Sequence, residues 1–284
     1  MAKRKIIVTA DWLYEQQSDS QVIIIDCRFE LTSPDLGRKQ YEEGHIPQAQ
    51  YFDLESDLSG PVNKHGGRHP LPDLKTFTEK LSRAGIDEHV TVVAYDDQKG
   101  MMASRFWWLL TYLGHSSVYI LDGGFSKWKE KRYPITKEVP KVVARLFTPN
   151  INDDMLVDIE NVRESLHKTG TVLVDARNSD RYLGIEEPLD PKAGHIPGAV
   201  NMFWGENVND NGEWRTVQSL KKRFSALKNM EEIIVYCGSG VSACPNILAM
   251  KEAGINDVKL YIGSWSDWCS YPENPIETKM NVIE

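Results

Sequence analysis

The sequence predicts an α/β protein of two tandem domains, each a mainly parallel sheet flanked by helices. Short runs of β-branched and aromatic residues, too brief for helices, alternate with segments of helical spacing, as in parallel sheets that helices cover on both faces. The chain has 284 residues, which exceeds the usual size of a single domain. The same landmarks also recur in both halves at a nearly constant offset.

Each half contains four landmarks in the same order. They are a strand that ends in Asp-x-Arg, a Gly-His-Ile-Pro turn, a second buried strand, and a glycine-containing pair that precedes an aromatic residue. The landmarks lie at 26–28, 44–47, 92–95 and 123–128 in the first half, and at 175–177, 194–197, 233–236 and 263–268 in the second. A repeat of this length indicates two copies of one domain, since the units of a solenoid are shorter. We expect domains at residues 1–138 and 153–284, joined by a linker at 139–152.

Local signals place further elements. The expected elements of the first half are helices at 11–16, 74–84 and after residue 100, and strands at 22–25, 90–95 and 118–121. Thr9 is a good cap for the first helix, and Gly85 a good stop for the second. Residues 56–72 are rich in Gly, Pro, Asn and His, which predicts a long surface segment of the kind that often lines a site.

Composition excludes several classes of function. A net charge of -8 argues against a broad surface for nucleic acid or an anionic membrane, although a local pocket for a small anion remains open. The N-terminal segment has too short an apolar run for a secretory signal or a membrane span. The four cysteines lack paired spacing, which favours reduced thiols in a cytoplasmic protein. The chain also lacks zinc spacing and nucleotide-binding glycine motifs, so we expect no metal and no cofactor.

Cys237 lies where the predicted strand at 233–236 ends. The segment that follows it consists of Gly238, Ser239, Gly240, Val241 and Ser242. Its two glycines allow a tight fold with the amide N–H groups turned inward as an anion-binding nest. We expect a helix at 243–253 with Ser242 as its N-cap and Pro245 in its first turn. Amides and the positive end of a helix favour a nucleophilic thiolate, although a lone buried cysteine often serves only packing.

Aligning the two copies places Asp96 opposite Cys237. A carboxylate cannot perform cysteine chemistry, so we expect only the second domain to be catalytic. The first domain, with Asp96 in place of the cysteine, is then expected to cover the site and to contribute side chains across the interface, where binding sites are common.

These motifs resemble the two-domain rhodanese sulfurtransferases over nearly the full chain. The resemblance is carried by the paired GHIP and DxR turns, the GGFSKW and GSWSDW segments, and CGSGVSA at Cys237. The uncharged Gly238 and Ser239 are similar to the loop of 3-mercaptopyruvate sulfurtransferases, whereas rhodaneses that prefer thiosulfate carry basic residues there. The resemblance implies that the Cys237 thiolate takes sulfur from a small anionic donor as a persulfide, and that a thiol, cyanide or a thioredoxin-like protein accepts it. Thiosulfate stays open as the alternative donor.

The resemblance also implies roles for residues around Cys237. The amides of residues 238–242 would hold the anionic sulfur. The Ser239 hydroxyl would help to protonate the leaving enolate, and His69 in the HPLP segment would join Ser239 in a relay whose acidic member aligns with Glu55, close to Asp53. The alternatives are that Ser239 is a small loop residue and that His69 lies in solvent.

Arg181 matches the arginine that would bind the donor carboxylate with two hydrogen bonds. A second substrate arginine has no clear counterpart, since the nearby segment offers only Lys192. That departure favours thiosulfate as a competing donor. Other residues occur in both copies and are therefore interpreted as architectural: Arg28, Arg177, His45 and His195.

A phosphatase and a non-catalytic binding protein are the two alternatives to a sulfurtransferase. A phosphatase of related fold needs an arginine six residues after its cysteine, and Ala243 occupies that position. A non-catalytic binding protein would have a silent Cys237. Cys244 at the helix start is either a redox partner of Cys237 or a packing residue, of which we favour the second.

Overall fold

The computed structural model describes residues 6–283. The first half contains β1 (Ile7–Val8), α1 (Ala10–Gln16), β2 (Val22–Asp26), α2 (Asp35–Glu43), β3 (Ala49–Tyr51), α3 (Leu74–Arg83), β4 (Thr91–Tyr95), α4 (Met101–Tyr112), β5 (Val118–Leu121) and α5 (Gly124–Glu130). The second half contains β6 (Leu156–Val157), α6 (Ile159–Ser165), β7 (Thr171–Asp175), α7 (Ser179–Tyr182), β8 (Val200–Asn201), α8 (Val217–Arg223), β9 (Glu232–Tyr236), α9 (Cys244–Ala253), β10 (Val258–Tyr261) and α10 (Ser264–Trp268).

The two halves form equivalent five-stranded sheets. Strands follow the order β1-β5-β4-β2-β3 in the first sheet and β6-β10-β9-β7-β8 in the second, and neighbouring strands pair in parallel. The predicted α/β fold of two tandem domains is therefore confirmed. Residues 137–152 between the sheets contain neither helix nor strand. The limits of the domains and of the linker stay a prediction.

One of the two helix N-caps predicted from the sequence is confirmed, and the other is wrong. The Thr9 hydroxyl accepts a hydrogen bond from the Trp12 amide at 3.2 Å, as expected for the cap of α1. The prediction that Ser242 caps α9 is wrong, because that helix begins at Cys244 after Ala243, which has no capping side chain. Pro245 explains the start, since its fixed φ favours the first helical turn and it lacks an N–H that needs a cap.

The paired Asp-x-Arg motifs join each central strand to its Gly-His-Ile-Pro turn. The Arg28 guanidinium binds the Asp26 carboxylate at 2.6 Å and the Gly44 carbonyl at 2.8 Å. In the second domain, Arg177 reaches Asp175 at 2.6 Å and the Gly194 carbonyl at 2.6 Å. The histidine of each turn bonds to a main-chain carbonyl and stacks on a tyrosine, as seen for His45 on Tyr41 and His195 on Tyr182. These contacts support the architectural interpretation of the repeated residues.

The two domains pack through α4 and α9, whose residues are almost all buried. One apolar cluster includes Phe106 and Trp107 of α4 together with Ile247 and Leu248 of α9, so both domains share a core. Because β4 precedes α4 and β9 precedes α9, this contact brings the carboxyl ends of both central strands to the domain interface. Ligands of open α/β sheets bind at such strand ends.

Long loops extend each domain over the other. Residues 56–72 of the first domain contact α10, where the Gly66 amide donates to Asp267 at 2.7 Å and the Arg68 amide donates to the Ser266 hydroxyl at 3.1 Å. In return, the Trp214 amide donates to Asp122 at 2.8 Å, and a Cβ on Gly100 would lie 2.9 Å from the Trp214 ring. Each strand end is thus covered by the opposite domain. Among residues 6–283, none of the helices has the length and apolar character that a membrane span needs.

Candidate active site

Cys237 occupies the carboxyl end of β9, as the sequence predicts. Its carbonyl accepts a hydrogen bond from the Trp265 amide at 2.9 Å, and its amide donates to the Ser264 hydroxyl at 3.1 Å. The side chain is only 1% exposed. Residues 237–243, here called the active loop, turn sharply at Gly240, which has φ +77°; a Cβ there would lie 2.4 Å from the Ile262 carbonyl. This loop therefore needs glycine at position 240.

The amide groups of the active loop are available to a ligand. Within residues 6–283, the N–H groups of residues 238–243 donate neither to a carbonyl nor to a side chain. Asp96 has the matching main-chain position in the first domain, because its carbonyl accepts from Phe125 as that of Cys237 accepts from Trp265. The carboxylate of Asp96 accepts the N–H groups of its own loop, from Gln98 and Gly100 at 2.8 Å and from Ala103 at 2.9 Å. The loop of the first copy thus already holds an anion.

Ser239 and His69 meet across the domain interface. The His69 Nδ1 lies 2.8 Å from the Ser239 hydroxyl, and both side chains are buried. Burial, together with the positive charges of Arg105 and Arg68, lowers the pKa of His69 to about 4, so this imidazole is neutral at pH 7. The structure therefore brings together two residues that the resemblance implied as a pair.

The expected acidic member of this relay does not reach His69. Glu55 is exposed, and its amide caps onto the Asp53 carboxylate at 2.9 Å. Asp53 also accepts hydrogen bonds from Ser56 and from the Tyr51 hydroxyl. Within the described residues, no hydrogen bond joins His69 to either acid. Residues 53–56 instead fold into a local turn around the Asp53 carboxylate.

Two arginines from different domains lie against Gly238. A Cβ on Gly238 would be 3.1 Å from Nη2 of Arg68 and 3.3 Å from Nη1 of Arg181. Arg181 is the residue that the sequence predicts here. Arg68 was missed, although it directly precedes His69 in the segment expected to line a site. Lys192 lies elsewhere, since its ammonium group reaches the Tyr271 carbonyl at 3.4 Å.

Buried carboxylates hold these arginines. Glu187 accepts two hydrogen bonds from Nη2 of Arg181, at 2.7 and 2.9 Å, and also pairs with Arg177 at 3.2 Å. Asp190 pairs with Arg68 and lies 3.3 Å from Arg181. No local pattern in the sequence indicates these acids, because an acidic stretch before a turn is usually solvated. Their positions fix both guanidinium groups beside the cysteine.

The chain is similar to known proteins over most of its length. A family profile for the rhodanese-like domain matches residues 9–131 and 158–271. The chain belongs to the rhodanese family. A Pseudomonas aeruginosa protein named "Probable 3-mercaptopyruvate sulfurtransferase" is 40% identical over 277 residues, which cover 96% of this chain and 98% of that protein. Rattus norvegicus thiosulfate sulfurtransferase is 31% identical over 290 residues, with 98% of this chain and 95% of that protein covered.

Solved structures agree with the sequence relatives. The crystal structure of SseA from Escherichia coli, described as a 3-mercaptopyruvate sulfotransferase of rhodanese fold, superimposes with a TM-score of 0.80 at 32% identity. The match covers 92% of this chain and 99% of that one. The family resemblance of the sequence is thereby confirmed.

Ser264 is a further residue of this rhodanese-family site that sequence reasoning missed. It has φ +55°, a left-handed conformation that costs a non-glycine residue about 1–3 kcal/mol. The first domain has Gly124 at the equivalent place, with φ +57°. The Ser264 hydroxyl contacts both the amide and, at 4.0 Å, the sulfur of Cys237. The second domain thus accepts backbone strain where it gains a hydroxyl beside the cysteine.

Val241, Ser242 and Cys244 are the remaining residues that the sequence analysis singles out near Cys237. Val241 is buried and Ser242 is half-buried at the end of the active loop. The Cys244 thiol donates to the Gly240 carbonyl at 3.4 Å, and burial raises its pKa to about 12, which supports packing over a redox role. Among the described residues, no group of three or more His, Cys, Asp or Glu side chains is arranged to hold a metal ion.

The strain at Ser264 predicts an order of stability among variants. Ser264→Gly and Ser264→Ala both lose the hydroxyl, but only glycine relieves the left-handed backbone. We therefore expect the glycine variant to be more stable than the alanine variant by about 1 kcal/mol in urea unfolding. The matched control, Ser266→Gly against Ser266→Ala on the helical backbone of α10, should give the opposite order. Equal stability of the two Ser264 variants would contradict the strain.

The lowered pKa of His69 predicts a pH-dependent loss of stability. Between about pH 6.5 and pH 4 the unfolded chain binds a proton that folded His69 excludes, so the free energy of unfolding falls as the pH falls through this window. From pH 7 to pH 5 the loss from this group should be about 2 kcal/mol. Urea titrations of the wild type and His69→Gln measure it, and the variant should lack this part of the pH dependence. Parallel pH profiles for the two proteins would refute the assignment.

Proposed function

We propose that this chain is a sulfurtransferase that moves sulfane sulfur from 3-mercaptopyruvate to a thiol or cyanide acceptor through a persulfide on Cys237. One observation carries the proposal. The active loop presents unused amide groups around a buried cysteine, at the place where the first domain's loop binds the Asp96 carboxylate. A loop that binds an anion in one copy is suited to an anionic sulfur in the other.

In the first half-reaction, the Cys237 thiolate attacks the sulfur of the donor. The carbon–sulfur bond breaks, its electron pair forms the enolate of pyruvate, and the proton of the donor thiol finally reaches the enolate carbon. Thiolate and donor are thereby converted to a persulfide anion and pyruvate, with charge unchanged. The amides of residues 238–242 stabilise the sulfur anion at both stages.

The Ser239–His69 pair would act on the developing enolate. Neutral His69 with hydrogen on Nδ1 donates to the Ser239 oxygen at 2.8 Å, which leaves the serine hydrogen free for the substrate carbonyl. That hydrogen bond strengthens as negative charge moves onto the oxygen, so it favours bond cleavage. Glu55 is exposed and lies outside this pair. The role proposed for Ser239 and His69 therefore involves no acidic third residue.

Arg68 and Arg181 supply the binding site for the donor carboxylate. Their guanidinium groups lie side by side at Gly238, next to the nucleophile. Planar guanidinium groups bind two carboxylate oxygens at once, which orients the donor as well as holding it. Arg68 of the first domain takes the place of the second substrate arginine, for which the segment around Lys192 offers no counterpart.

In the second half-reaction, a thiolate or cyanide attacks the outer sulfur, the sulfur–sulfur bond breaks, and its electron pair returns to Cys237. A thioredoxin-like protein would serve as a thiol acceptor in the same way. The first domain, with Asp96 bound to its own loop, has no nucleophile there and completes the site of the second. All four cysteines are free thiols, which supports a cytoplasmic location.

Thiosulfate is the second candidate donor, because the arginine pair would also bind its sulfonate oxygens. The Ser239–His69 pair favours mercaptopyruvate, since cleavage of thiosulfate forms no enolate oxygen for that hydroxyl to stabilise. Steady-state kinetics with both donors separates the candidates. A higher kcat/KM for thiosulfate, unaffected by Ser239→Ala, would favour thiosulfate.

Replacing the nucleophile should abolish sulfur transfer. Cys237→Ser has nearly the same volume, so the fold should persist, whereas pyruvate and thiocyanate formation should fall to background. Mass spectrometry of the wild type after donor treatment should find one added sulfur on the peptide that contains Cys237. Cys27→Ser, at the buried end of β2, is the matched control and should keep both signals. Turnover by Cys237→Ser would rule out the persulfide mechanism.

Removing either arginine should weaken donor binding more than the chemical step. Arg68→Ala and Arg181→Ala should each raise the KM for mercaptopyruvate by about tenfold or more, because each loses a charge-assisted hydrogen bond. Lys192→Ala removes a neighbouring cation that faces Tyr271, and its KM should stay near that of the wild type. An unchanged KM in the arginine variants, or a large rise in the lysine variant, would relocate the carboxylate site.

A further inference from the structure

Arg105 is a charged side chain inside the apolar interface of α4 and α9. It is 0% exposed. Its Nη1 donates to the Gly240 carbonyl of the active loop at 3.1 Å. Its Nη2 donates to carbonyls of the segment that carries His69: Leu58 at 3.2 Å, His69 at 3.1 Å and Pro70 at 3.3 Å. One guanidinium therefore connects the active loop to the main chain of His69.

These contacts leave the charge of Arg105 without a carboxylate. All four acceptors are carbonyl oxygens, and Nε has no hydrogen-bond partner within the described part of the chain. The acidic groups that act on the guanidinium are the thiols of Cys244, which also hydrogen-bonds to it, and Cys237. Cys244 stays protonated, since burial raises its pKa to about 12. Cys237 is the other thiol that acts on Arg105.

A buried charge without a partner is costly, and well-packed apolar residues often stabilise such positions equally well or better. The other arginines near the active loop do not share this situation. Arg181 is paired with Glu187, and Arg68 with Asp190. The outer face of the loop is thus balanced, whereas the inner face carries a positive charge on Arg105.

The first domain provides an internal comparison. By the equivalence of Asp96 and Cys237, the position of α9 that matches Arg105 is occupied by the buried Asn246, whose neutral side-chain amide donates to the Met202 carbonyl at 2.7 Å. The Asp96 carboxylate is held by amide groups, and burial raises its pKa, with no cation among the groups that act on it. The loop that contains Cys237 therefore has a buried arginine behind it, supplied by the first domain. The loop that contains Asp96 has no equivalent arginine from the second domain.

We propose that Arg105 is a positioning residue whose counter-ion is the sulfur anion of Cys237, first as the thiolate and then as the persulfide. Its positive charge acts from behind the active loop, through the Gly240 peptide, and favours the anionic form of the sulfur. The other ionisable groups around the loop are His69 and Cys244 on the inner side and Arg68 and Arg181 on the outer side. The persulfide stage rests on the proposed function, whereas the thiolate stage does not.

The test measures the rate at which iodoacetamide alkylates Cys237 as a function of pH, resolved from the other cysteines by peptide mass spectrometry. In Arg105→Met and Arg105→Gln, the midpoint of the rate–pH profile should rise by about one pH unit or more. Arg105→Lys keeps the charge and loses the fork of donors, so its midpoint should stay within about half a unit of the wild type. In sulfur transfer at pH 7, the neutral variants should lose about tenfold in kcat with little change in KM.

Arg145→Met is the control, because Arg145 also donates to a backbone carbonyl, Ser20 at 3.1 Å, but it lies in the linker and pairs with Asp87 of the first domain, whereas the active loop belongs to the second domain. Its midpoint should equal that of the wild type. Wild-type midpoints in both neutral variants would overturn the proposal. If the neutral variants fail to fold, Arg105→Lys decides, since a shift of a full unit there would assign the effect to geometry and not to charge. Alkylation needs no donor, so absence of sulfur transfer would sink the proposed function separately.

Discussion

The contact between α4 and α9 brings two separate strand ends to one interface, and the candidate site is completed by side chains that reach across it. The cysteine and its amides belong to the second domain, while His69, Arg68 and Arg105 come from the first. A loop of small residues cannot by itself bury a charged sulfur or orient a donor. The second domain therefore depends on the first for a surface that excludes water and supplies cations.

The two domains show how one architecture diverges into a binding role and a covering role. Sheet order, Asp-x-Arg motifs and histidine turns are the same in both. The differences lie at the strand ends: Asp96 against Cys237, and Gly124 against Ser264. In the first domain a carboxylate satisfies its own loop, and glycine occupies the left-handed position at residue 124. In the second, the amides stay open and the backbone is strained beside the nucleophile, as expected where function and stability compete.

Electrostatics divides the surroundings of the active loop into two layers. On the outer side, Arg68 and Arg181 are held by Asp190 and Glu187, which fixes their geometry while leaving the cluster close to neutral. Such an arrangement binds an incoming carboxylate by orientation more than by net charge. On the inner side, desolvation keeps His69 neutral. Arg105 lies on the same side, and within the described residues its hydrogen bonds include none to a carboxylate. Burial thus sets the protonation state of one group and strengthens the field of the other.

The sequence by itself determined the fold class, the duplication, and the position of Cys237 at a strand end, because these depend on local patterns: apolar runs, glycine turns and repeated landmarks. Through the family resemblance it also predicted roles for Ser239, His69 and Arg181, which stay predictions. It misplaced the start of α9, where Pro245 replaces a capping side chain. The tertiary structure alone decided the rest. It brought Arg68 to Gly238, turned Glu55 into solvent, and buried Arg105 beneath the active loop. Such contacts join residues that are far apart in the chain, so no local pattern records them, and only the packing of the two domains fixes their distances and their exposure to water.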